Sequence, residues 1–140
     1  MTRAPRRRRA SGPLEKTEQA HIIQMLTRVG GRVWVTGVPR RKGDFQGAMR
    51  TPGLPDVIAF LPRTLGQPGR RLLCVEVKKI GGRLRPEQET FRQECLDASV
   101  DHVVGGLDAV IAWLVQTGYV KASEFAHYRQ PAAGGAHAAS

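Results

Sequence analysis

The run Leu72-Leu73-Cys74-Val75-Glu76-Val77-Lys78 limits what this chain can fold into more than any other stretch. Uninterrupted Leu, Cys and Val read as a strand covered on both faces, and Glu76 and Lys78 break that pattern. A buried ionised carboxylate is tolerated only where a cation, a metal or an ordered network compensates its lost hydration. Alternation with period two places Cys74, Glu76 and Lys78 on one face and Val75 and Val77 on the other. A second acid, Asp56, stands at the start of another apolar strand, Val57-Ile58-Ala59-Phe60-Leu61, after a turn stiffened by Pro52, Gly53 and Pro55. If the two strands pair, as sequence neighbours usually do, Asp56 and Glu76 can share one hard cation with Lys78 beside it.

The charge balance names the class of partner. Lys and Arg number 22 against 12 Asp and Glu, a formal charge of +10, which favours a polyanion such as nucleic acid over a small neutral substrate. Between Arg28 and Arg85 the acids are Asp44, Asp56 and Glu76, amid many Arg and Lys. Acids that persist inside strands of so basic a segment read as ligands rather than surface decoration. With 140 residues the chain is expected to form one domain. Cys74 and Cys95 read as buried free thiols in a reducing compartment, with no structural zinc. No apolar run reaches the length of a membrane span and no signal-peptide core is visible, so the expectation is a soluble, cytoplasmic protein with no membrane partner.

Along the chain, residues 1–13 hold Arg3 and Arg6 to Arg9 without an acid and read as a disordered basic arm, contacting nucleic acid or simply solvated. Ile22, Met25, Leu26 and Val29 recur at helical spacing until Gly30-Gly31. Glu18 lies one turn before Ile22 on that core-facing stripe, and Glu15 falls near it at the frayed start. His21 flanks the stripe and reads as a partly buried, structurally satisfied histidine ahead of one that approaches the site or contacts a phosphate. Arg32 to Thr36 read as the first strand. The loop from Gly37 to Arg50 mixes Arg40, Arg41, Lys42 and Arg50 with Phe45, a composition suited to phosphate contact. Arg70-Arg71 precede the third strand; Lys79, Arg83 and Arg85 follow it and join the basic residues assigned to nucleic acid. Pro86 opens a helix to about Ala98 that aligns Gln88, Phe91 and Cys95 on one face. A strand from Asp101 to Gly105 and a helix ending near Gly118 complete the domain, 14–118, and residues 119–140 are expected to be a disordered tail.

The string Gly53-Leu54-Pro55-Asp56, Glu76-Val77-Lys78 and Gln88-x-x-Phe91 resembles the VRR-NUC branch, the virus-type replication-repair nucleases, of the PD-(D/E)XK superfamily. The resemblance implies an α/β fold with an αβββαβ core, a mixed central sheet flanked by helices. It implies a metal-dependent DNA endonuclease acting on branched DNA such as Holliday junctions, with a homodimer as the working unit. Asp56, Glu76, the Val77 carbonyl and Glu18 would hold magnesium or manganese, Lys78 would stabilise the transition state, and Gln88 would orient the water or Lys78. The competing classes are a restriction-type, sequence-specific endonuclease and a catalytically inactive basic nucleic-acid-binding module.

Overall fold

Helix α1 (Pro13–Arg28) opens the computed structural model, which describes residues 13–36, 51–63 and 66–124. Pro13 suits a first helical position, and Glu15 near the start and Arg28 at the end complement the helix dipole. Ile22, Met25 and Leu26 form its buried stripe. Gly30, at φ +90°, and Gly31 then turn the chain, their N–H groups donating to the carbonyls of Thr27 and Leu26. A Cβ on Gly31 would sit 2.6 Å from both the Leu26 carbonyl oxygen and the Leu61 side chain, so the turn requires a glycine.

Strands β1 (Arg32–Val35), β2 (Val57–Pro62) and β3 (Arg70–Val77) follow, then α2 (Pro86–Asp97), β4 (Asp101–Gly105) and α3 (Leu107–Gln116). The sheet order is β1-β2-β3-β4, antiparallel at the first two pairings and parallel between β3 and β4. A parallel neighbour needs a crossover, and α2 supplies it. The expected mixed sheet with flanking helices is therefore the fold.

The two faces of the sheet differ. Val57, Ala59, Leu61, Leu73, Val75, Val77 and Val103 point to one side, where α1 and α3 bury them with Ile22, Leu26, Val110, Ile111 and Leu114. Truncating one such side chain, Leu73→Ala for instance, costs about 2–5 kcal/mol. The opposite parity carries Trp34, Asp56, Ile58, Phe60, Leu72, Cys74, Glu76 and His102. Helix α2 covers only the β3–β4 half of this second face, through Gln88 on Glu76, Phe91 on His102 and Cys95 beside Cys74.

Several boundaries differ from the sequence reading. Arg70 and Arg71 lie inside β3, because Arg71 is held by Asp101 (2.6 and 3.0 Å) and lies over the Trp113 ring. Past Gly118, Tyr119 stacks on Trp113 and Val120 joins the core, so ordered packing passes the expected end of the domain. His21 is exposed rather than partly buried. No helix among the described residues is long and apolar enough to cross a membrane.

Candidate active site

The turn before β2 fixes the first acid. Gly53 adopts φ +93°, and a Cβ there would lie 2.4 Å from the Glu87 carbonyl oxygen, so this turn rests directly on the first turn of α2. Pro55 is fully buried and its carbonyl accepts the Thr36 hydroxyl, while the Thr36 N–H donates to the Asp56 carbonyl at 3.1 Å. Asp56 Oδ2 accepts the backbone N–H of Val77 at 2.8 Å, tying the start of β2 to the end of β3.

That bond sets Asp56 against Glu76, which is 3% exposed. Glu76 Oε1 accepts from Gln88 Nε2 at 2.6 Å and stands 3.7 Å from Lys78 Nζ. Burial pushes the Glu76 carboxyl up to about 7, Asp56 adds to the rise through its charge and a hydrogen bond, and Lys78 and Arg85 oppose it. Gln88 is fixed at its other end, since its Oε1 accepts the Arg85 N–H at 2.8 Å. The donor and acceptor of one amide thus join the start of α2 to the buried acid of β3.

A cleft of about 290 Å³ opens over this cluster, lined by Thr36, Thr51, Pro52, Gly53, Leu54, Asp56, Arg85 and Gln88. A larger hollow of about 410 Å³ lies against α3, where Ala112, Val115, Gln116 and Ala122 offer no titratable group, whereas the smaller cleft adjoins the carboxylate pair. The lining residues Thr36 and Thr51 carry no charge signal in the sequence, and only the pairing of β1 with β2 brings Thr36 beside Asp56.

Asp56, Glu76, Lys78 and Gln88 come together, with the Val77 carbonyl on the same strand. Glu18 does something else. Its Oε2 accepts the Leu107 N–H at 2.7 Å, capping α3, whose own N-cap residue, Gly106, has no side chain to do so. It reaches the sheet end from the α1–α3 layer, against Gly106, the residue after Gly105, whose carbonyl accepts the Lys78 N–H. Among the described residues no three His, Cys, Asp or Glu side chains gather as a metal site. In this structure Glu18 is engaged by the Leu107 N–H at the start of α3. Lys79, Arg83 and Arg85 are exposed, and Arg85 lines the cleft, whereas Arg40, Arg41, Lys42 and Arg50 lie outside the described residues.

The residues present fit a hard divalent cation. Two adjoining carboxylates lie beside one ammonium, burial and the Asp56 charge raise the Glu76 carboxyl, and Asp56, Glu76 and the Val77 carbonyl offer only oxygen donors.

The architecture is similar to that of a solved structure described as a VRR_NUC domain, at a TM-score of 0.51 and 24% identity. The superposition covers 73% of this chain and 94% of that one, and shows a shared fold. No family model matches the chain, and no curated protein sequence matches it.

Proposed function

We propose that this protein is a metal-dependent nuclease that hydrolyses phosphodiester bonds of DNA, acts on branched substrates, and works as a homodimer. The observation that carries the reading is the cluster of Asp56, Glu76, Lys78 and Gln88 beside a cleft that Asp56, Gln88 and Arg85 line, in a chain of net charge +10. The shared fold with a VRR_NUC domain supports it.

Asp56, Glu76 and the Val77 carbonyl would hold magnesium or manganese, which when bound supplies Lewis acidity to the scissile phosphate and lowers the pKa of the attacking water. Lys78 balances the charge of Glu76 and faces the negative charge that grows on the phosphate oxygens in the transition state. Gln88 fixes the Glu76 rotamer, so the carboxylate does not reorganise during the reaction. Arg85, exposed at the cleft, and Lys79 and Arg83 beside it bind the backbone of the substrate. Cutting both strands of a branch requires two sites, and one small domain offers one, which is the argument for a two-fold pair.

The test uses labelled duplex, flap, single-stranded and four-way-junction DNA with magnesium, manganese, calcium or chelator. Metal-dependent cleavage of branched substrates is expected, lost in Asp56→Ala and Glu76→Ala while DNA binding persists. Binding without cleavage of any substrate overturns the enzyme in favour of a binding module. Fixed sequence-dependent fragments from a plasmid overturn structure selectivity.

A further inference from the structure

The half of the second sheet face that α2 leaves open carries Trp34, 62% exposed, and Phe60, 40% exposed, with the half-buried Ile58 and Leu72 between and beside them. Trp34 pairs with Ile58, and Phe60 pairs with Arg32 on one side and Leu72 on the other, so these side chains share one parity and one surface. Asp56 and Glu76 have the same parity. Asp56 stands two residues before Ile58, about 7 Å along the strand, so the aromatic surface runs into the cleft without a break. Thr36, two residues after Trp34, lines that cleft.

Exposed aromatics on a sheet face demand an occupant or a reason. Acid on this parity of the first three strands is confined to Asp56 and Glu76, while Arg32 is exposed beside Trp34 and Phe60. The homodimer proposed above needs a larger surface than this face presents. Two partly exposed aromatic rings offer roughly 200–300 Å², against about 800 Å² per partner in a stable interface. Unpaired nucleotides match both features, because each offers a base π-face for Trp or Phe and a backbone phosphate for the adjoining Arg.

We propose that Trp34 and Phe60 form a stacking platform for unpaired bases, leading a single strand across β1 and β2 into the Asp56–Glu76–Lys78 cleft. The platform rests on the nuclease reading and specifies its substrate as nucleic acid with a single-stranded segment next to the cut.

The test compares a fluorescein-labelled oligothymidylate with a blunt duplex of equal length, bound by the full chain without divalent cation. Trp34→Ala and Phe60→Ala should each weaken single-strand binding about 5- to 150-fold while changing duplex affinity less than about twofold, and Trp34→Phe should recover most of the loss. Binding should quench indole emission in the wild type but not in Trp34→Phe, whose remaining indole is Trp113. An equal loss on both probes, or none on the single strand, overturns the platform. A fall in melting temperature or a change in mass of Trp34→Ala also overturns it, because the patch would then be covered by the chain itself or by a second copy. Magnesium-dependent cleavage separates the two readings. Cleavage without a selective loss sinks the platform alone; a selective loss with no cleavage by the wild type leaves the platform and sinks the hydrolytic reading.

Discussion

Gln88 holds Glu76 through a 2.6 Å hydrogen bond while its own oxygen is occupied by the Arg85 N–H, so the amide cannot flip without breaking both contacts. Gln88→Ala should lower stability by about 1–3 kcal/mol, since it leaves a buried carboxyl without its donor. Cleavage should slow with DNA affinity unchanged. Gln88→Glu should push the Glu76 carboxyl higher by adding a second negative charge, which moves the rising limb of the pH–rate profile upward. An unshifted profile in Gln88→Glu would remove Gln88 from the site.

The raised Glu76 carboxyl gives a stability signature without metal. Between about pH 4.5 and about pH 7 the folded state binds the proton that the unfolded state has released, so stability falls as pH rises through that window. The loss approaches the order of 3 kcal/mol. Glu76→Gln should flatten the trend, and magnesium should restore stability at neutral pH. Urea unfolding in chelator at a series of pH values reads both effects.

Lys78→Ala should retain DNA and metal binding yet cut far more slowly, by about a hundredfold or more for loss of one transition-state charge partner. Single-turnover rates at saturating DNA measure this. A wild-type rate in the folded variant would detach Lys78 from the chemistry.

Glu18→Ala uncaps α3 and should cost about 0.5–2 kcal/mol. Because the Glu18 carboxylate is engaged by the Leu107 N–H, the affinity for manganese measured by calorimetry should change only a few-fold, in contrast to Asp56→Ala. Loss of manganese binding in Glu18→Ala would return Glu18 to the ligand set.

Deleting residues 1–12 removes Arg3 and Arg6 to Arg9, which lie outside the described residues. Each phosphate they neutralise adds about 0.9 to the salt slope of duplex binding. The truncated chain should show a slope flatter by at least about 1 and an unaltered single-turnover rate at saturating DNA. A slope that stays put would mark the arm as a passive tail.

Much of the site is legible in the sequence because parity is local. Glu76, Lys78 and Cys74 share a face for the same reason that Val75 and Val77 share the other, and Pro52, Gly53 and Pro55 mark the turn that fixes Asp56. The ends of β4 follow from its apolar run. What sequence does not disclose is the identity of distant partners. The helical stripe correctly turns Glu18 inward, yet which donor it meets depends on α3 docking eighty-nine positions later. Arg71 reads as a flank of its strand until Asp101 and Trp113 arrive beside it. Tyr119 and Val120 sit where Gly, Ala and Ser begin to dominate, and only the stacking on Trp113 shows that the fold has not yet ended.

Helix α2 shelters one half of a sheet face and stops at the cleft, so that single face passes from dry to wet across the width of one site. Glu76 stands on the sheltered side and Asp56 lines the open cleft. The carboxylate pair therefore straddles a dielectric step. On the proposed nuclease reading, a phosphate arriving from the open half would meet water-screened charge first and poorly screened charge last, and the field on it would steepen toward Glu76 and Lys78.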